Sequence, residues 1–346
     1  MLSTLFTAAN LAGSFVIGLS SAYFAVALAS GIRTYHRAGH GLGQQSDIPY
    51  GAPFDGLADT SGYHLYFLVP CLNEAAVIGS TVRALAGGPE AVAGGGPPTI
   101  VVIDDASDDG TAEVTRAAGD GVVIVRRDLP DARKGKGAGL NDGFAFVTRD
   151  VRERGLDHDR VIVCVMDADG RLSDGACRHV LPLFDDPDVG GVQLAVRIRN
   201  RETNFLLKFQ AHQFWTLSAL SQMGRLGVGT VSLGGNGQFA RLTALEGLGA
   251  APWSNSLTED LDLAVSLAID GWRLASTPDA AVDQQGVEEL GRLFTQRTRW
   301  YQGHMMTAKR LPAIWRAPGL SHGAALEMTL YILVPWLFDL PWSILC

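Results

Sequence analysis

The chain has 346 residues, room for one large domain or two small ones, and its 36 acidic against 28 Lys and Arg side chains give a net charge of −8. That balance excludes a nucleic-acid binder, which needs a basic face to neutralise phosphates. The four cysteines, Cys71, Cys164, Cys177 and Cys346, form no Cys-x-x-Cys pair and no Cys/His group at zinc spacing, so they read as reduced thiols of a cytosolic compartment.

Mean hydropathy is +0.13, with the apolar excess at the two ends. Residues 1–32 carry no charged side chain, and such a run is long enough to cross a bilayer core of roughly 30 Å. It lacks the basic start and the short length of a signal peptide, so it predicts a retained transmembrane anchor. Arg33 and Arg37 follow at once and place the next segment in the cytoplasm. Residues 33–62, rich in Gly, Pro and polar side chains from 38 onward, read as a linker. From Tyr63 apolar runs alternate with helical patterns. Strands are predicted at 63–70, 99–105, 121–127, 160–167 and 189–199. Helices are predicted over Glu74–Ala86, from Thr111, over Gly139–Arg149, after Ser173 and over Glu202–Met223. That alternation predicts an α/β domain over 63–285, a mostly parallel sheet covered by helices. An amphipathic helix begins near Val287, within an interface segment 286–320. Residues 321–346 form a second apolar segment, membrane-spanning or interfacial, interrupted by Glu327, Asp339, Pro335 and Pro341. Lys309, Arg310 and Arg316 precede it, so both flanks put the middle of the chain on the cytoplasmic side. Ending inside an apolar stretch, the sequence carries the expectation of further helices after Cys346.

Three predicted strands end on acids: Asn73-Glu74, Asp104-Asp105 and Asp167-Ala168-Asp169. One such end is an ordinary solvated turn. Three along the C-terminal edge of one sheet, where open α/β sheets bind ligands, point to cations or hydroxyl-rich ligands, since hard dications take carboxylate oxygens. Capping of the helix at Thr111 falls to Ser107 or Asp108, and Thr258 caps the helix that begins "EDLDLAV". Asp260 and Asp262 lie in its first turn, where the helix dipole favours acids. Lys136 stands between Gly135 and Gly137, which allow a ligand close to the backbone. Gln296, Arg299, Trp300 and Gly303 share one helix face, while Arg297 points elsewhere. "GTVSLGGNGQF" reads equally as a ligand-approach loop and as a tight turn before a strand.

The segments "FLVPCLNEAAVIGSTV", "VVIDDASDDGT", "KGKGAGLNDGF", "VMDADG", "SLTEDLDLAVSLAIDGWRL" and "QRTRWYQGH" occur in the order seen in family 2 glycosyltransferases. Over roughly residues 63–310 the chain resembles the membrane-bound branch containing cellulose, hyaluronan, chitin and poly-N-acetylglucosamine synthases. The resemblance implies a GT-A fold and inverting, metal-dependent transfer of a hexosyl unit from a nucleotide sugar. It implies Asp260 as catalytic base with Glu259 beside it. It assigns Asn73, Glu74, Asp104, Asp105, Lys136, Asp167 and Arg299 to the donor, Asp169 with Asp167 to Mg²⁺ or Mn²⁺, and Gln296 and Trp300 to the acceptor. Trp300 also suits a membrane-interface anchor. One position departs from the pattern: an aromatic residue usually precedes the Asn-Glu pair, and here it is Leu72, which cannot offer a π face to a base. A UDP-sugar remains the expected donor, with a GDP-sugar the alternative. The acceptor is expected to be a polysaccharide or a membrane lipid, at the cell membrane with the catalytic domain cytoplasmic. An inactive sugar-nucleotide-binding scaffold is the third reading.

Overall fold

The computed structural model describes residues 2–37, 60, 62–87, 96–119 and 121–336. An eight-stranded sheet runs in the order β3-β2-β1-β4-β7-β6-β8-β5. Its first half is parallel: β1 (His64–Cys71) lies between β2 (Thr99–Asp105) and β4 (Val161–Val165), with β3 (Val123–Arg127) outside β2. β1 explains why its sequence is a continuous apolar run. Leu65, Phe67, Val69 and Cys71 pack into one core, and Tyr66 and Leu68 into another on the opposite face, as expected of a strand covered on both sides. Helices α2 (Ile78–Gly87) and α3 (Thr111–Ala118) lie on the first face, and α4 (Lys136–Arg154) on the second.

The second half departs from the sequence expectation. After β4 come the two-residue β5 (Arg171–Leu172), the short α5 (Ala176–Val180) and the predicted strand β6 (Val189–Ile198). Two further strands follow that the sequence did not reveal, β7 (Gln238–Arg241) and β8 (Arg273–Gln284). β7 pairs antiparallel to both β4 and β6, and β5 antiparallel to β8, so the sheet is mixed, though still parallel through β1–β4 and between β6 and β8. β7 is too short to show a pattern. In β8 the register jumps from Leu194↔Thr277 to Ala195↔Ala281. The bulged residues include Pro278, which cannot donate to a ladder and hides the strand.

The helix expected over Glu202–Met223 is also not uniform. It consists of α6 (Phe205–Gln213), a π-helical stretch over Phe214–Leu220, and α7 (Ser221–Gly224). α8 (Leu242–Gly247) leads to α9 (Glu259–Ile269). After β8 the chain continues in α10 (Leu290–Met306), α11 (Leu311–Arg316) and α12 (His322–Val334), the last two closing a small core with α9.

The N-terminal helix, α1 (Leu2–Arg37), turns its last turns onto this body. Ala27 and Tyr35 are buried there, Tyr35 edge-on to Trp215 at 5.2 Å. Gly31 abuts the carbonyl of Leu220, and Gly224 that of Ala27, and neither place would hold a Cβ. Glu327 of α12 ties the same region together, accepting from Tyr23 at 2.6 Å and pairing with buried Arg225 at 2.7 Å. Among the described residues no helix is long and apolar enough to cross a membrane, so the span expected over residues 1–32 is not found among the described helices. Most of the linker 33–62 and residues 337–346 of the second apolar segment, with Cys346, lie outside the described residues, while 33–37 belong to α1.

Candidate functional site

The strand-end acids gather along the C-terminal edge of β1, β2 and β4, and the register explains their partners. Asp104 stands beside Arg126 and Asp105 beside Arg127 on the neighbouring strand β3, and each pair forms an ion pair. The two aspartates then diverge, as successive strand residues must. Asp104 is fully buried and also accepts from the Ser107 amide at 3.0 Å. Asp105 faces a cavity of about 640 Å³ that it lines with Leu72, Glu74, Arg133, Lys136, Asp167, Asp169 and Arg299. Asn73 does not line it. Its side-chain oxygen accepts from the Asp108 amide, and its own amide donates to Ser107, both at 3.0 Å. So Asp104 and Asn73, expected to touch the donor, do not line this cavity and brace the loops around it. Capping at Thr111 falls to neither Ser107 nor Asp108: Asp109 accepts from the Thr111 amide at 3.0 Å.

Asp167 is the hinge of the site. Thr81 donates to the Ala168 carbonyl at 2.6 Å and Asn236 accepts from the Asp167 amide at 3.2 Å, fixing the Asp167–Asp169 turn. The Asp167 carboxylate takes Lys136 Nζ at 2.6 Å, and the same ammonium donates to the Gly235 carbonyl at 2.8 Å. Burial works against the charge of Lys136, but Asp167 and then Glu259 outweigh it and raise its pKa. The segment over Gly234–Gly237 is therefore a support for the acid turn. A Cβ on Gly235 would lie 2.9 Å from Lys136 Nζ and 3.4 Å from Asp260 Oδ2.

A second cavity, of about 570 Å³, opens on the other side of Lys136 and Asp167. Glu259 and Asp260 enter it from the first turn of α9, Gln296, Arg299, Trp300 and His304 from α10, and Phe214 from the π-helical stretch. Burial and then the neighbouring Glu259 carboxylate push the Asp260 pKa up to about 7, the range in which a general base works best at neutral pH. Thr258 stands at the N-cap position of α9, but its side chain makes no capping bond and packs against Gly303, where a Cβ would come within 2.6 Å of it. Asp262, apart from this cavity, is buried and pairs with Arg310 at 3.8 Å. Trp300 meets Phe214 edge-on at 6.1 Å, and Arg297 lies over both rings, at 4.4 Å and 5.2 Å. Arg299 lines both cavities and has no hydrogen-bond or ion-pair partner among the described residues.

The acids suit a dication completed by its substrate. Among the described residues no group of three His, Cys, Asp or Glu side chains could enclose an ion. Asp169, Asp167 and Glu74 line one cavity: burial and then Asp167 raise the Asp169 pKa, and burial followed by Asp169 and Asp167 raises that of Glu74. Crowded carboxylates of this kind favour a cation between them. Mg²⁺-type sites commonly use one or two carboxylates plus phosphate oxygens, and Asp169 and Asp167 would be those carboxylates.

A family model described as "Glycosyltransferase like family 2" matches residues 63–303. Over 144 residues the chain is 37% identical to the "Beta-monoglucosyldiacylglycerol synthase" of Trichormus variabilis, covering 41% of this chain and 30% of that protein. Over 240 residues it is 29% identical to the "Poly-beta-1,6-N-acetyl-D-glucosamine synthase" of Staphylococcus aureus, covering 68% of this chain and 53% of that one. The chain thus spans about a third to about half of the length of the curated relatives it matches. Among solved structures, the "Mannosyltransferase PcManGT from Pyrobaculum calidifontis in complex with GDP-Man and Mn2+" superposes with a TM-score of 0.59 at 19% identity, over 96% of this chain and 86% of that one. That likeness is one of fold, a GT-A-like α/β fold.

Proposed function

This chain belongs to glycosyltransferase family 2, and from that membership we propose that it moves a hexosyl unit, with inversion, from a UDP-sugar to a hydroxyl of a growing polysaccharide at the cytoplasmic face of the cell membrane. One observation carries the reading. Two cavities meet at Lys136 and Asp167, one edged by strand-end acids and cations, the other holding a carboxyl group poised near pH 7. The first suits a nucleoside diphosphate, with Asp105 toward the nucleoside and Arg299 and Lys136 toward the diphosphate. The second suits the attacking alcohol. Asp260 accepts the proton of that hydroxyl as its oxygen bonds to the anomeric carbon and the bond to the diphosphate breaks. Lys136 holds Asp167, and Arg299, having no partner among the described residues, is free to take the charge that develops on the leaving group. A dication held by Asp169 and Asp167 would supply further neutralisation of that charge. Trp300 and Phe214 offer ring surfaces against which a sugar can pack.

A second acceptor is favoured by the 37% identical relative, whose name is that of a glycolipid synthase: a diacylglycerol reaching the same cavity from the membrane. The presence of both Asp260 and Asp169 argues against an inactive scaffold.

The test is to incubate the protein in membranes with a panel of labelled UDP- and GDP-sugars, with and without a chelator. Chelator-sensitive transfer from a UDP-sugar into material that stays at the origin in thin-layer chromatography and is cut by a β-glycanase is expected. A single chloroform-extractable product would establish the lipid acceptor instead, and binding of donor with neither hydrolysis nor transfer would establish the scaffold.

A further inference from the structure

We propose that Arg225 and Glu327 form a buried charged brace that sets the rear wall of the acceptor cavity, and that α1 completes the brace through Tyr23, so that acceptor affinity depends on the seating of α1. The inference rests on the assignment of the second cavity to the acceptor. It adds residues that act on that cavity from behind, as positioning residues.

The brace joins four separate segments. Arg225 follows α7, Thr230 precedes β7, Glu327 belongs to α12 and Tyr23 to α1. Glu327 gathers them. One carboxylate oxygen accepts from the Tyr23 hydroxyl at 2.6 Å and lies 2.7 Å from Arg225 Nε. The other accepts from Arg225 Nη2 at 3.1 Å and from the Thr230 hydroxyl. Burial works against the charge of Arg225, but Glu327 outweighs it and raises its pKa. A buried ion pair adds little net stability over well-packed apolar side chains, so the pair is better explained by what it holds.

It holds two parts of the cavity wall. Arg225 Nη1 donates to Gln222 Oε1 at 3.2 Å, and the same oxygen accepts from the Ser232 amide at 2.8 Å while Gln222 Nε2 donates to the Ser232 carbonyl at 3.2 Å. The Arg225 guanidinium also lies over the Tyr331 ring at 3.9 Å. Tyr331 in turn positions His304: its carbonyl is 3.0 Å from His304 Nε2, and the two rings are 4.9 Å apart. Gln222, Ser232, His304 and Tyr331 line the acceptor cavity, while Arg225, Glu327 and Tyr23 stand behind it, and none of these residues lines the donor cavity. The seat of α1 is fixed on the backbone side as well, since Gly224, the neighbour of Arg225, abuts the Ala27 carbonyl. Tyr23 and Glu327 both lie outside the matched family domain, so half of the brace comes from this chain's flanking helices.

Two variants of the full chain test the brace, with calorimetry of UDP and Mn²⁺ beside transfer from the panel of labelled UDP- and GDP-sugars to octyl β-glucoside and to dioctanoylglycerol. Arg225→Met with Glu327→Gln removes both charges, fills the volume and leaves Tyr23 and Thr230 a polar partner. Disturbing side chains that do not touch a ligand alters its affinity by about twofold to thirtyfold. The acceptor KM should therefore rise about tenfold, with the UDP Kd and the melting temperature close to wild type. Tyr23→Phe removes a single hydroxyl and keeps the test independent of whether the double variant folds. It should raise the acceptor KM about threefold, as expected for one lost hydrogen bond, again at constant UDP Kd. An unaltered acceptor KM in Tyr23→Phe, or an acceptor KM and UDP Kd that rise together, overturns the proposal. A wild-type chain that binds UDP but transfers to neither acceptor would overturn the transfer reading itself.

Discussion

The two cavities that meet at Lys136 are made of different material. The donor side is edged by strand ends and tight loops. Its acids carry ion pairs or crowd one another, no aromatic ring lines it among the described residues, and the non-glycine residues at positive φ gather around it. The other cavity is bordered by the middle of β6 (Gln193–Val196), by Ser276 and Gln284 of β8 and by helices, which bring Phe214, Trp300 and Tyr331, and its strongly raised acid, Asp260, is supplied by a helix N-terminal turn. A strand end anchored by neighbouring strands fixes charges closely, as a diphosphate and a cation require. Helices packed through side chains can shift relative to one another, which suits a partner that must advance or leave after each transfer. On the proposed reading, donor recognition rests on strand ends, and acceptor recognition on α9, α10 and the π-helical stretch set against the faces of β6 and β8.

The largest expected effect would break this division most cleanly. Asp260→Asn keeps the shape of the side chain and removes the base. Transfer should fall by ~10²–10⁴ while UDP affinity stays at the wild-type value, as measured by labelled-sugar transfer beside calorimetry. Parallel loss of donor affinity would mean that the two cavities are one site in energetic terms.

A smaller effect is expected where α10 touches α9. Gly303→Ala would place a methyl group 2.6 Å from Thr258 Cγ2 and 3.0 Å from its backbone nitrogen. Overpacking of this kind costs about 1–3 kcal/mol, so thermal unfolding should move down by several degrees. The displaced helix carries Gln296 and Trp300, and also Arg299, which lines both cavities, so the acceptor KM should rise more than the UDP Kd. A lowered UDP affinity with an unaltered acceptor KM would reverse the assignment of the two sides.

A further effect is in the pH dependence of stability. The Asp260 pKa, about 7 in the folded chain, lies above the ordinary carboxyl value of about 3.9. Folding therefore favours the protonated form. That contribution is complete below pH ~4 and is lost as pH rises through about 7. Asp260→Asn, which never ionises, should gain in melting temperature over the wild type between pH 5 and pH 8. A gap that does not change with pH would place Asp260 in solvent. Transfer itself should rise through the same pH window as the base becomes available.

The donor side was legible in the sequence because a parallel strand buried on both faces must be apolar, and an acid at its end then stands out. The strands over 63–70, 99–105 and 189–199 lie within a residue or two of the observed ones. Which acid of each group faces the ligand was not legible. Asp104 and Asp105 look alike until β3 brings Arg126 and Arg127 alongside, although the Arg-Arg end of that strand was a signal that could have been matched to the Asp-Asp end of its neighbour. Asn73 reads as a ligand-binding residue until its loop bonds are seen. The acceptor side was less legible. The helix face of Gln296, Arg299 and Trp300 follows from spacing, but its partner Phe214 lies in a π-helical stretch that no apolar period announces. The "GTVSLGGNGQF" segment could not be resolved because its role, bracing Asp167 and Lys136, depends entirely on contacts distant in sequence.

The seam between α1 and the body bears on how the protein can be produced. A chain shortened to the family match would begin near Tyr63 and discard α1. It would thereby uncover Trp215, Ala219, Leu220 and Met223, all buried in the cluster that includes Tyr35. Gly31 and Gly224 show that the two surfaces are shaped to each other at backbone distance, so no solubilising fusion partner would refill that groove. Purification schemes should retain α1 through Arg37, because the shorter chain would expose the apolar trench that its last turns cover.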